Sequence, residues 1–411
     1  MTPQKRYRYS GMAVIVALLA LGPCEHTDVQ ARTAHGVQMP EFQLAPGWPT
    51  IPNGWTLGQV SDVAVDSQDH IWILQRPRTV KPGVSTGPPV MIFDQDGKYI
   101  RGWGGPGPGY EWPQTEHGIF IDYKGNVWIC GSGRDDQVLK FTNDGRFIMQ
   151  LGQHGHKKTN IDTDAFWMPT DAFVYPGTNE VFISDGYGNK RIIVFDADTG
   201  KFKRMWGAFG NAPSDMPESS LVAQMSGRRI VTPNRTLATQ FDPNDPGPPQ
   251  FDTVHDVKIS SDGFVYVADR GGKRVQIFTI AGKYVAQVWV DRWCEQAGEG
   301  CGNGQTAASV AFSADPEQRF LYVGSRSPAR IWVFDRKSLR PLESFGRPGI
   351  GPGEFDALHE MATDSHGNLY VTEVEDGRRV QRFSFDGLVS AIPAATPATV
   401  VVNRAAYFGA R

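Results

Sequence analysis

The chain has 411 residues, 40% hydrophobic and 21% charged, a balance that supports a packed core and excludes a disordered polyelectrolyte. Its formal net charge of −3 at pH 7 gives no electrostatic basis for binding nucleic acid. Glycine (46 residues) and proline (29) are abundant, as in proteins with many turns between short strands.

In chain order, Lys5, Arg6 and Arg8 precede the apolar run Gly11–Gly22, which is too short to span a bilayer, and Val29-Gln30-Ala31 offers a small-residue cleavage site. Residues 1–31 therefore read as an export signal segment, and the mature chain is expected to be periplasmic or secreted, with no transmembrane span. Cys24 is a lipid-anchor position that the preceding Pro23 disfavours. Cys130, in NVWIC, reads as a buried free thiol, whereas Cys294 and Cys301 share a polar, Gly-rich loop and are expected to form a local disulfide.

Beyond the signal, one pattern recurs in six units, at about 58–105, 112–153, 166–210, 251–290, 306–346 and 355–387. Each unit runs from an alternating apolar strand through a turn such as SSDG to a second strand such as FVYVAD. A Gly/charged turn and a third strand such as RVQIF follow, and most units add a fourth. Period-two alternation between Asp-Gly and Gly-Asn turns marks half-buried antiparallel strands. Six such units predict an all-β fold, a six-bladed β-propeller over residues 40–395, because a lone blade cannot bury its faces and a ring of blades can. The sixth unit lacks a fourth strand. Either the segment EFQLAPGWPTIP before the first unit or the tail 396–411 is expected to close the ring there. The Pro/Gly-rich stretch of about 211–250 fits no blade and reads as an insertion with the character of a lid.

Placed in register, the first strands align Ser61, His117, Thr170, His255, Ala308 and His359. The histidines stand in units two, four and six, about 120° apart on strands that line the central channel. One such histidine alone reads as a hydrogen-bonded strand residue. Three at one depth read as ligands for Zn²⁺ with a fourth position open, the catalytic arrangement.

The repeats resemble NHL repeats, and several blades resemble peptidyl-α-hydroxyglycine α-amidating lyase, which cleaves a C-terminal α-hydroxyglycine to a peptide amide and glyoxylate. The resemblance rests on SDGYGNKRI (184–192), VHDVKISSDGFVYVADRGGKRVQIF (254–278) and VSDVAVDSQDHIWILQR (60–76). It implies that Tyr187 is catalytic, that Arg76 supports its phenolate and that Arg270 pairs with the substrate carboxylate. It also implies that His117, His255 and His359 hold zinc, and that a structural Ca²⁺ is bound by the carbonyls of Val63 and Ile119 and the carboxylate of Glu360, where the family has Asp. Arg326, in GSRSP, occupies a strand end comparable to that of Arg270. Two departures stand out: Ala357 replaces a family Met, and Gly188 replaces a family Cys, so the disulfide at that Cys cannot form.

The expected substrate is a small molecule or a peptide C-terminus. Nothing in the chain resembles the copper domain that makes α-hydroxyglycine, so a separate hydroxylating enzyme would supply it. A closed ring needs no partner subunit, and a monomer is expected. Two other readings stay open: a non-catalytic propeller that binds a peptide, glycan or protein, and a metal-dependent lyase or lactonase acting on another hydroxylated acid.

Overall fold

The computed structural model describes residues 37–156, 159–216, 246–292, 305–391 and 402–404. These form six antiparallel sheets, each with its inner strand nearest the axis. Blade one runs outward through Gln59–Val65, Ile71–Arg76, Val90–Phe93 and Tyr99–Trp103, and the inner strands of blades two to six are Glu116–Ile121, Pro169–Tyr175, Val254–Ile259, Ala307–Phe312 and Leu358–Thr363. The fold is the six-bladed β-propeller that the repeats predict. Among the described residues, no helix is long and apolar enough to cross a membrane.

The ring closes through the upstream segment. Gln38–Leu44 pairs antiparallel with Arg379–Ser390, matching Gln38 to Ser390 and Leu44 to Phe383, and so becomes the outer strand of blade six. The tail does something else: Val402–Arg404 pairs with Tyr284–Trp289 and widens blade four to five strands. Phe42 explains the choice. Its ring packs against Tyr322, Phe345 and Phe385, across the boundary between blades five and six.

Six apolar clusters hold the ring, one at each blade boundary. Val275, Ile277, Val310 and Leu321, for example, join blades four and five, and Trp128, Val138, Val181 and Ile193 join blades two and three. Within three blades, ion pairs tie the second strand to the third: Asp185–Arg191 (2.9 Å) and Asp269–Arg274 (2.8 Å), both fully buried, and Glu373–Arg379 (2.5 Å), with Arg379 partly exposed. Cys130 is buried and free, and burial pushes its thiol well above the usual range, as suits an inert core residue. The export segment, Cys24, the pair Cys294 and Cys301, and residues 217–245 of the insertion lie outside the described residues.

Candidate metal centre

Every inner strand carries a register irregularity at the same place, for instance between Val60 and Asp62, Val254 and Asp256, and Leu358 and Met361. A bulge breaks strict alternation and re-aims side chains. Here it lets two consecutive positions from each blade face the channel, giving two stacked layers.

The upper layer contains the three histidines. His117, His255 and His359 are buried, and their available ligand atoms lie within 4.8 Å of one another. The ring centroids are 4.6–4.7 Å apart. Each Nδ1–H donates to the backbone carbonyl at the same register position of the next blade: His117 to Thr170 (2.9 Å), His255 to Ala308 (2.8 Å) and His359 to Ser61 (2.5 Å). The three non-histidine positions thus orient the three histidines. With Nδ1 protonated, each Nε2 carries a lone pair, the tautomer needed by a metal ligand. Burial holds all three imidazoles well below the usual histidine range, and neighbouring guanidiniums push in the same direction. They are therefore neutral near pH 7. His255 Nε2 is buried without a hydrogen-bond partner, an orphan that a cation would satisfy. The donor set fits a metal ion.

Tyr187 stands over this layer, its hydroxyl 3.3 Å from His117 Nε2 and its ring 5.9 Å from that of His255. Two glycines shape its turn. A Cβ on Gly186 would lie 1.8 Å from the Val254 carbonyl oxygen, so the turn can approach blade four only with glycine there. A Cβ on Gly188 would lie 2.1 Å from the Trp167 ring, which fills the place of any side chain at the family's Cys position. The Arg270 guanidinium lies over the Tyr187 ring, 5.0 Å from its centroid. Arg76 is held by the Glu116 carbonyl and Gln59 Oε1, both at 2.8 Å. Ala357 is buried, with its carbonyl accepting from Val374 N–H.

The lower layer is acidic. Asp62, Asp171, Asp256 and Glu360 each follow a register position and are buried. Asp62 accepts from the backbone N–H groups of Val63 and Ile119, both at 2.6 Å, so these two expected calcium contacts are tied to a carboxylate through their amides. Lys258 reaches the same layer and bridges Asp171 (2.5 Å) and Asp256 (2.6 Å). Burial opposes its charge, but the Asp171 and Asp256 carboxylates outweigh burial and hold its pKa above the usual lysine value. Burial also raises Asp62 to about 7 and pushes Asp171 and Glu360 well above the carboxylate range. Glu360 Oε1 comes within 2.9 Å of His255 Nδ1. That nitrogen's hydrogen is directed at Ala308, and both Glu360 oxygens are buried without a hydrogen bond. These orphaned oxygens suit a hard cation, but the layer already holds the Lys258 ammonium. Below it, at the far end of the channel from Tyr187, a cavity of about 450 Å³ is lined by Val63, Phe120, Phe173 and Lys258 among others. None of the three histidines lines it, although Ser261, Ser313, Asp315, Asp364 and Ser365 do.

Sequence reasoning brought Tyr187, Arg270 and the three histidines to one place. It missed Lys258, Asp62, Asp171 and Asp256. The acids were visible as the recurring second letter of SD, TD and HD in SDV, TDA and HDV.

Fold and site together define a six-bladed β-propeller with a three-histidine cluster on its axis. The NHL repeat model matches residues 251–278, which span the first three strands of blade four. The chain is 28% identical to NHL repeat-containing protein 3 of Homo sapiens over 356 residues, covering 83% of this chain and 84% of that protein. It is 32% identical to peptidylglycine alpha-amidating monooxygenase of Rattus norvegicus over 178 residues, covering 39% of this chain and 17% of the rat protein. A probable peptidyl-alpha-hydroxyglycine alpha-amidating lyase of Caenorhabditis elegans is 27% identical over 239 residues, 54% of this chain and 56% of that one. The chain is thus a distant relative of the amidating enzymes and spans only part of their length.

Proposed function

We propose that this chain is a zinc-dependent carbon–nitrogen lyase that converts a peptidyl-α-hydroxyglycine or similar hemiaminal to an amide and glyoxylate. The observation that carries this reading is the convergence of His117, His255 and His359, each with Nδ1 capped by a carbonyl, directly beneath the Tyr187 hydroxyl. Zinc held by the three Nε2 atoms would polarise the substrate hydroxyl and stabilise the negative charge that develops on its oxygen. Tyr187 Oη takes the hydroxyl proton. As the C–O bond becomes a carbonyl, the C–N bond breaks, and the proton passes to the departing amide nitrogen. Arg270, over the tyrosine ring, balances the phenolate and presents N–H groups to the substrate carboxylate. Arg76, which also lies within reach of the Tyr187 charge, supports the phenolate beside it. A structural cation at Glu360, export of the mature chain and its action as a monomer belong to the same reading.

The test is metal content and turnover on the purified protein. About one zinc per chain is expected, lost in His255→Ala. Tyr187→Phe should keep the metal and lower kcat for glyoxylate release by about 100- to 10,000-fold. Full turnover in both variants would remove the mechanism, and absence of stoichiometric metal would leave a binding propeller.

A further inference from the structure

Three arginines leave the second strands of their blades at one register position. Val60 pairs with Gln75, Val254 with Asp269 and Ala307 with Ser325, so the next residues, Arg76, Arg270 and Arg326, are structural equivalents in blades one, four and five. All three are largely buried, at 8% exposure for Arg76, 5% for Arg270 and 14% for the Arg326 side chain. Thr306 links the last two: its N–H donates to the Arg270 carbonyl and its carbonyl accepts from the Arg326 N–H. The two guanidiniums repel one another and both act on His359, so they lie near each other beside the histidine site.

Their countercharge within the protein is thin. Asp269, next to Arg270 in sequence, is engaged by Arg274 at 2.8 Å and by the Asp252 N–H, and Arg270 Nε is buried without a hydrogen-bond partner. Among the described residues, Arg326 pairs with the exposed end of Glu375, at 3.3 Å, and lies within reach of Tyr187. Such a pair is worth little in water. A metal dication at the triad would add further positive charge. With Tyr187 as phenolate and one substrate carboxylate bound, two of the three guanidiniums are matched and the third is not.

We infer that the site takes a dianionic substrate, a small hydroxylated acid with a second carboxylate, in which Arg270 holds the carboxylate beside the hydroxyl and Arg326 holds the other. Arg326 is then a specificity-determining residue, and among the hemiaminals of the proposed reaction it favours a small one that carries a second carboxylate. The inference rests on the proposed site but not on its lyase chemistry.

The experiment is titration calorimetry of the zinc-loaded protein with malate and with 2-hydroxybutyrate, which share a four-carbon backbone and an α-hydroxy acid but differ in the second carboxylate. Malate is expected to bind at least about 10-fold more tightly, as a hydrogen bond to a charged group implies. Arg326→Met should erase that preference while leaving 2-hydroxybutyrate affinity within about twofold, and Arg326→Lys should keep part of it. A thermal melt of each variant checks folding. Equal affinity for the two acids, binding of neither, or an unchanged preference in a folded Arg326→Met protein would overturn the inference. Glyoxylate release from an α-hydroxyglycine compound, measured separately, decides the lyase reading, so either can fail alone.

Discussion

The histidines keep their protons off because burial makes imidazolium costly, and that has a measurable sign. The three folded-state values lie well below the ordinary 6.5, while an unfolded chain titrates near it. Above 6.5, both states bind the same protons at these rings. As pH falls below that value, the unfolded chain takes up protons that the folded one refuses, so the histidines cost the metal-free protein stability toward acid, against the opposite contribution of the raised carboxyls of Asp62, Asp171 and Glu360. Denaturation midpoints at about pH 7.5 and pH 5.5 test this by difference: between the two pH values the wild-type protein should change less favourably than a His117→Ala/His255→Ala/His359→Ala variant, in which the carboxyl contribution remains and the histidine contribution is gone. Lys258 gives a second prediction. Replacing it by Met leaves Asp171 and Asp256 without their ammonium and should cost about 3–5 kcal/mol of stability. Calcium should recover part of that loss if the acidic layer accepts a divalent ion, and urea unfolding with and without calcium reads both effects.

At the level of elements, the closing strand has a job distinct from that of any blade. Without Gln38–Leu44, the strand Arg379–Ser390 becomes a free edge, open to pairing with another chain. Deleting residues 37–44 should lower the melting temperature and produce dimers or larger species by size-exclusion chromatography, while a Gln43→Ala change, at an exposed position of the same strand, should do neither. The choice between the two candidate closing segments was not legible in the sequence, because both read as short apolar stretches and only the Phe42 contacts decide between them. The same limit hid Lys258. Strict alternation from an inward-facing His255 puts Val257 inward and Lys258 outward, but the bulge at His255 shifts the parity and brings Asp256 and Lys258 to the axis. The histidine register, by contrast, needed only the repeat, since a position counted from the same turn in every blade survives any bulge that all blades share.

At the scale of the whole molecule, stability and metal binding should be linked through mass action. An ion that binds only the folded ring adds about 2.7 kcal/mol at a free concentration 100 times its Kd. Thermal melts across a zinc series should therefore rise for the wild-type protein and stay flat for the His255→Ala variant. The carbonyls that orient the histidines carry a further consequence. The pair between His359 and Ser61 joins the last blade to the first, across a separation of 298 residues. The third ligand acquires its orientation only when the two ends of the repeat array meet. Metal bound at this site would thus be captured late in folding: an array missing its sixth blade has two of the three ligands and lacks His359 altogether. An ion bound there would be chosen from the metals available wherever folding finishes, not where synthesis begins.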